Sequence, residues 1–331
     1  MGKSSFSGPV YSGGVPLLPN RFGWKKAATS WFVDGNYGSD GNSGKEADQA
    51  FLTIGYAISR ASEFDVIYVL DKGHDAATDP DPYTEATTNL SVAFAKSNLS
   101  IVGVPNNIHQ TYQIQIKPVS ASTSPALTIL APFVAVENLC FNKRGDGVGS
   151  CVYLYDEGDS TSQAQGSSIY NCHLRNADLG SAAHTTNGGI KINGGWYYTI
   201  KDCYFIDCRN GIVMGTSGAS TLKGIQILNC NFAASAVANV DVDILLVPGS
   251  VGSVGHIIDR CVFSHEVPAF AGAGTLTAYI YDTISTQNLV SNCFFGTDDA
   301  TCKDTVTHEI VLKQIGSIAG SFDGASQVVW A

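Results

Sequence analysis

Three pairs of acidic residues lie close enough in the chain to act as paired carboxylates: Asp202 with Asp207, Asp241 with Asp243, and Asp298 with Asp299. Glycoside hydrolysis uses two carboxyl groups roughly 5 to 9.5 Å apart, one as acid and one as base or nucleophile. Each pair also has a structural reading. Asp202 occupies a position that recurs along the chain as Asn or Asp, which suits a bend between strands. Asp241 and Asp243 are two apart in an apolar strand, hence on one face, and read as a solvent-facing acidic ridge. Asp298-Asp299 follow Gly296-Thr297 and read as a turn. The expectation is therefore no catalytic residue, although carboxylates far apart in sequence can still be stacked into one site.

Metal and cofactor chemistry is equally sparse. The seven histidines (74, 109, 173, 184, 256, 265 and 308) show no paired ligand spacing. His265-Glu266 and His308-Glu309 are adjacent residues, which point to opposite faces of a strand. Asp34 to Gly44 has the composition of a calcium loop, but Ser39 stands where an EF-hand needs glycine, so the segment reads as turns. No cofactor-binding and no metal-binding residue is expected. Trp196-Tyr197-Tyr198 has side chains that stack on sugar rings and that also suit a contact between subunits.

The elements that would carry such groups follow from the cysteines. Cys172, Cys203, Cys230, Cys261 and Cys293 recur at intervals of 31, 27, 31 and 32 residues. Each sits in a repeated six-residue unit, as in Ile169-Tyr-Asn-Cys-His-Leu174, Ile200-Lys-Asp-Cys-Tyr-Phe205 and Ile227-Leu-Asn-Cys-Asn-Phe232. Val136-Glu-Asn-Leu-Cys-Phe141 leads the series. Ile258-Asp-Arg-Cys-Val-Phe263 and Val290-Ser-Asn-Cys-Phe-Phe295 continue it. Alternate positions are apolar, so each unit reads as a short strand with one buried face. Between the units lies a second short apolar strand, such as Gly189-Ile-Lys-Ile192 or Gly211-Ile-Val-Met214.

A period near thirty residues with strand periodicity means a solenoid. Helical, leucine-rich and propeller repeats each fail on apolar spacing or strand count. What remains is all-β, a single-stranded parallel β-helix whose turns stack about 4.8 Å apart. Equivalent side chains then form vertical files. The expected core ladder is Cys172, Cys203, Cys230, Cys261 and Cys293 beside Phe141, Phe205, Phe232, Phe263 and Phe295. Nine cysteines, an odd number, with no export signal favour buried thiols over disulfides.

The opening of the chain differs. Trp31-Phe-Val-Asp-Gly-Asn-Tyr-Gly-Ser-Asp-Gly-Asn-Ser-Gly44 reads as a strand and a turn cluster. Ala50 to Ala61 places Ile54, Ala57, Ile58 and Ala61 at helical spacing. A short helix over the first turn would cover the open edge of the stack. The order of these segments, with Phe51-Leu-Thr-Ile54, Asp65-Val-Ile-Tyr-Val69 and Ser100-Ile-Val-Gly103, resembles the start of right-handed parallel β-helix proteins of the pectate-lyase-like superfamily. The resemblance covers about residues 31 to 315. Right-handedness follows from it and from the general crossover rule. That superfamily holds lyases, hydrolases, tailspikes and structural proteins, so it leaves function open. The Gly-His-Gly and Arg-x-Lys constellation of its polygalacturonase-like members is absent from the sequence.

The domain reading is an extended Gly/Pro-rich arm over residues 1–30 and a β-helix over 31–331. Within the latter, 31–70 forms the N-terminal cap, about 99–315 the coils and 316–331 the C-terminal end. The arm carries Phe6, Pro9, Val10, Tyr11, Val15, Leu17 and Leu18, apolar anchors suited to lying on another surface. Its Ser-Phe-Ser-Gly-Pro-Val stretch is similar to N-terminal arms of tailed-phage virion proteins. That resemblance implies a capsid decoration or cement protein, assembled in the host cytoplasm onto the virion surface. Its partner would be the major capsid protein or another virion protein, and by likeness to β-helix spikes it would be a homotrimer. The alternative is a tailspike or receptor-binding protein that binds or cleaves surface polysaccharide, with a glycan as partner.

Composition narrows the partners further. Apolar residues make up 44% of the 331 and charged residues only 15%, which excludes intrinsic disorder. A net charge of −10 with scattered basic residues argues against nucleic acid. No apolar run approaches the roughly 20 residues that span a bilayer, so no membrane partner is expected.

Overall fold

The computed structural model describes residues 11–12, 15–16, 28–72, 82–85, 90–105, 114–118, 124–143, 149–157, 163–178, 187–215, 221–234, 240–246, 254–265, 278–282, 288–295, 302–304 and 310–313. Three long parallel sheets account for nearly all of it, one of ten strands and two of eight. Each turn of chain gives one strand to each sheet in order, as with Ser168–Tyr170, His173–Arg175 and Ile190–Ile192. We call these sheets 1, 2 and 3. The ten-stranded file starts at Ser30–Val33 and the first full coil at Val66–Leu70. The chain is therefore a parallel β-helix.

Register explains why the sequence repeats. On sheet 1 the inward file is Trp31, Ile67, Ile101, Val136, Ile169, Ile200, Ile227, Ile258 and Val290, each paired with the next. β-Branched residues suit a pleated buried face, and all but Trp31 are fully buried. On sheet 2, Phe141, Leu174, Phe205, Phe232, Phe263 and Phe295 are successive partners. The rings of Phe205 and Phe232 stack at 4.6 Å and 6°, those of Phe232 and Phe263 at 5.0 Å and 8°. The coil spacing itself delivers the separation at which offset rings attract.

The six-residue units are not single strands. Each is broken at its Asn/Asp position, which turns sheet 1 into sheet 2. Asn138, Asn171, Asp202, Asn229, Arg260 and Asn292 all have φ between 48° and 58°. Asn and Asp tolerate this left-handed conformation best after glycine. Their amides also ladder: Asn171 Nδ2 donates to Asn138 Oδ1 at 2.8 Å, and Asn229 Nδ2 to Asp202 Oδ1 at 2.6 Å. The residue that follows each corner, Leu139 after the first and cysteine after the other five, is buried. Cys172, Cys203, Cys230, Cys261 and Cys293 are buried free thiols in equivalent positions. Each Sγ lies near one carbonyl of its own coil and one of the coil before, as Cys203 does with Lys201 at 3.3 Å and Ile169 at 3.5 Å.

One α-helix, Ile54–Arg60, occurs among the described residues and packs Ile54, Gly55, Ala57 and Ile58 against the first coil. Its ends are held by charge from later in the chain. Glu85 accepts the N–H groups of Ile54 at 2.5 Å and Gly55 at 2.7 Å. Lys96 Nζ donates to the carbonyls of Ser59 and Ala61. An anion at the first turn and a cation at the last is the arrangement a helix dipole favours. No described helix is long and apolar enough to cross a membrane. In the arm, Tyr11–Ser12 and Val15–Pro16 pair antiparallel. The side chains of Tyr11 and Val15, and the whole of Phe6, Pro9, Val10, Leu17 and Leu18, lie outside the described residues.

Candidate functional site

The structure disperses the acids singled out by spacing. Asp202 and Asp207 are both left-handed corner residues, on different sides of the coil. Asp298 and Asp299 lie outside the described residues. Asp241 and Asp243 do not form an exposed ridge. Both are buried, and Arg209 of the preceding coil reaches Asp241 with its Nε at 2.6 Å. One coil earlier still is Asp178, fully buried, with Oδ1 accepting the Gly149 N–H at 3.2 Å. Burial pushes the Asp178 carboxyl up, and Arg209 opposes that shift. Asp178, Arg209 and Asp241 thus alternate in charge along three coils, with exposures of 0%, 8% and 5%. The enclosed Arg209–Asp241 ion pair ties two coils together, and these buried carboxylates are closed to a polymer in this arrangement.

The histidines are likewise structural where they are described. His256 is buried, and its Nδ1 accepts the Ile225 N–H at 3.3 Å. Burial pushes it down to about 4. His173 packs against Tyr204, and burial, with Arg175 adding to it, also pushes it down to about 4. In the Asp34–Gly44 segment, Asp34 Oδ1 accepts the N–H groups of Asn36 and Tyr37. Asp40 accepts those of Leu52 and Thr53. No group of His, Cys, Asp or Glu among the described residues is arranged to hold a metal.

A different feature stands out on the corner where sheet 3 turns into sheet 1. Phe64, Asn98, Phe133, Gly166, Tyr197, Gly224 and Gly255 each lie two residues before a sheet 1 strand, and all have φ between 59° and 72°. Their N–H groups pin one coil to the next: Phe133 to Gln165 O at 3.0 Å, Gly166 to Trp196 O at 2.8 Å, and Tyr197 to Lys223 O at 2.9 Å. This second left-handed column has no common residue type, so no repeat in the sequence reveals it.

Three bulky aromatics stand in that column: Phe64, which is half-buried, and Phe133 and Tyr197, which are not. Left-handed backbone is an outlier for such residues and costs of order 1 kcal/mol or more. Phe133 and Tyr197 are nevertheless 53% and 69% exposed, so burial does not offset the strain. Each ring lies on a glycine of the following coil. A Cβ at Gly166 would stand 2.4 Å from Phe133 Cδ1, and one at Gly224 would stand 2.8 Å from Tyr197 Cδ1. The Cδ1–Cε1 edge of each ring thus packs against the next glycine while the residue as a whole stays open to solvent.

Neighbouring groups stiffen the platform. Gly195–Trp196 pairs in parallel with Leu222–Lys223, and Lys223 Nζ sits 5.7 Å from the centre of the Trp196 ring, which is 45% exposed. Tyr198 turns inward, fully buried, and its hydroxyl donates to Gly194 O at 2.8 Å. Beneath, Asp156 is buried, its backbone N–H donating to Asn193 Oδ1 at 2.7 Å. Of the segment Trp196-Tyr197-Tyr198, two rings face out and one anchors. The edge offers rigid apolar faces, one cation and few mobile groups, which suits stacking on a flat ligand.

No family model matches the chain, and no curated protein matches its sequence. Solved structures do share its fold. The pectin methylesterase from Aspergillus niger is similar at 12% identity and a TM-score of 0.52, covering 93% of this chain and 92% of that one. A rhamnogalacturonan lyase is similar at 13% identity and a TM-score of 0.55, covering 86% and 73%. The pectin methylesterase from carrot gives 13% identity and a TM-score of 0.52, covering 99% and 90%. These are right-handed parallel β-helix proteins, and at such identities the likeness establishes the fold of this chain alone.

Proposed function

We propose that this chain is a polysaccharide-binding β-helix whose binding edge is the aromatic column at the corner between sheets 3 and 1. The observation that carries the proposal is the pair of strained, solvent-open rings of Phe133 and Tyr197, each set on a glycine. Sugar rings present flat C–H faces that stack on aromatic faces, and an aromatic held rigid loses little entropy on binding. Proteins of the same fold carry pectin in their names, which adds support for a polysaccharide over other ligands. A stiff solenoid presenting such an edge fits a tailspike or receptor-binding protein that grips a surface glycan.

The test is binding of immobilised polysaccharides by the purified chain, compared with its Phe133→Gly and Tyr197→Gly variants. Glycine already fills the same column at positions 166, 224 and 255, so these variants keep the backbone. Each change is expected to weaken binding about tenfold, the scale of an interface anchor. Analysing the bound polymer for new chain ends reads cleavage in the same experiment. Absence of binding to every polysaccharide tried would defeat the proposal.

A second reading, a virion decoration protein held to a capsid through residues 1–30, is supported by the apolar residues Phe6, Val10, Tyr11, Val15, Leu17 and Leu18 in that segment. Removing residues 1–30 and measuring attachment to particles separates the two. Loss of attachment with glycan binding intact supports the arm as an anchor.

A further inference from the structure

Phe133 and Tyr197 occupy the same column position two coils apart, with Gly166 between them and Gly224 beyond. Each ring rests on the next glycine, so both are displaced by one coil in the same direction. Their separation is therefore two coil spacings, about 10 Å along the axis. The two rings thus stand at twice the coil period of the β-helix, along a straight edge.

Resting on the polysaccharide-binding reading above, we infer that the edge takes a linear, extended β-1,4-linked chain lying along the helix axis, with alternate sugars stacked on Phe133 and Tyr197. In such a chain each sugar is turned over relative to the last. Alternate sugars thus present the same face to the same side, and two sugars span the distance between the rings. The sugar between them faces the other way and needs no ring beneath it. A chain that coils, as the α-1,4-glucan of maltohexaose does, leaves the straight edge after one contact. Trp196 is the chain neighbour of Tyr197 and carries Lys223 Nζ 5.7 Å from its ring, and both would contact the sugar chain near that stack.

The experiment is calorimetric titration with cellohexaose, chitohexaose and mannohexaose against maltohexaose, and with the disaccharide of the best binder. The chain, Phe133→Gly, Tyr197→Gly and the double variant are compared, each checked for an unchanged far-ultraviolet dichroism spectrum. At least one β-1,4 hexasaccharide should lose about tenfold in affinity with either single change and about a hundredfold with both. Maltohexaose and the disaccharide should bind more weakly and change by less than twofold in either single variant, because the remaining ring serves. Equal dependence of maltohexaose and the β-1,4 chains on both rings would overturn the inference, as would a hexasaccharide that uses one ring only. Either result leaves glycan binding standing. No binding of any saccharide would instead remove the polysaccharide reading on which this inference rests.

Discussion

The ring of Phe133 lies on Gly166, so close that a Cβ at that glycine would overlap Cδ1 and Cε1 of the ring at 2.4 Å. Gly166 also has φ +72°, where a side chain strains the backbone. Gly166→Ala should therefore destabilise the fold by about 1–3 kcal/mol and displace the Phe133 ring. Phe133→Gly should do the reverse for stability, being neutral or mildly stabilising, while glycan binding falls. Urea titration of both variants beside the binding assay checks the pair. A stabilising Phe133→Gly that loses binding is the signature of strain retained for function.

The neutral imidazole of His256 is required for its bond from the Ile225 N–H. Its pKa falls from 6.5 to about 4 on folding, through burial. The unfolded chain then binds the proton more tightly, so this contribution is fully present above pH 6.5 and is lost as pH falls towards 4. The shift corresponds to about 3 kcal/mol. His173 acts in the same direction with a pKa of about 4. Melting the protein at pH 7.5 and 4.5 should show a loss of stability that His256→Asn, which keeps an acceptor and does not titrate, makes distinctly smaller. An identical pH dependence in the variant would refute the assignment.

Glu85 holds the first turn of the helix from outside it. Glu85→Gln leaves one acceptor and turns an N–H donor towards another, so a loss of about 1–2 kcal/mol is expected. The carboxyl is raised on folding, chiefly by burial. Its titration therefore favours the fold below the unfolded pKa and loses that contribution as pH rises through the folded one, opposite to His256. Hydrogen exchange of the Ile54–Arg60 amides, faster in the variant than in the parent, locates the effect.

The eight cysteines whose side chains are described are buried free thiols. Burial pushes the thiols of Cys151 and Cys172 well up, and that of Cys208 up to about 12. The thiolate is the reactive form, so these groups should react with a disulfide reagent only as fast as the coils open. Labelling in increasing urea should follow the unfolding transition. Fast labelling of Cys172 or Cys208 in the native protein would contradict their placement.

Much of the fold was legible because the files repeat residue type. Cysteine after Asn or Asp marks one corner per coil, and Phe at a fixed offset marks sheet 2. The same signal misled locally. Alternation across Ile169 to Leu174 reads as one strand, whereas Asn171 at φ 48° splits it in two. The second corner left no trace, since Phe133, Gly166 and Tyr197 share a backbone conformation and not a side chain. Spacing also sent Asp241 and Asp243 to the surface, because the partner Arg209 comes from another coil and periodicity within a strand cannot show it.

The two left-handed columns stay five residues apart from Phe133–Asn138 through Gly166–Asn171, Tyr197–Asp202 and Gly224–Asn229 to Gly255–Arg260. Successive coils measured between those starting points run 33, 31, 27 and 31 residues. Every gain or loss of length has thus been absorbed beyond sheet 1, where chain can lengthen without disturbing the rise of the stack. That side works as a ruler and the remainder as free margin. Peptides grafted into the margin should be displayed at a fixed pitch, while one residue inserted between the columns should throw all later coils out of step.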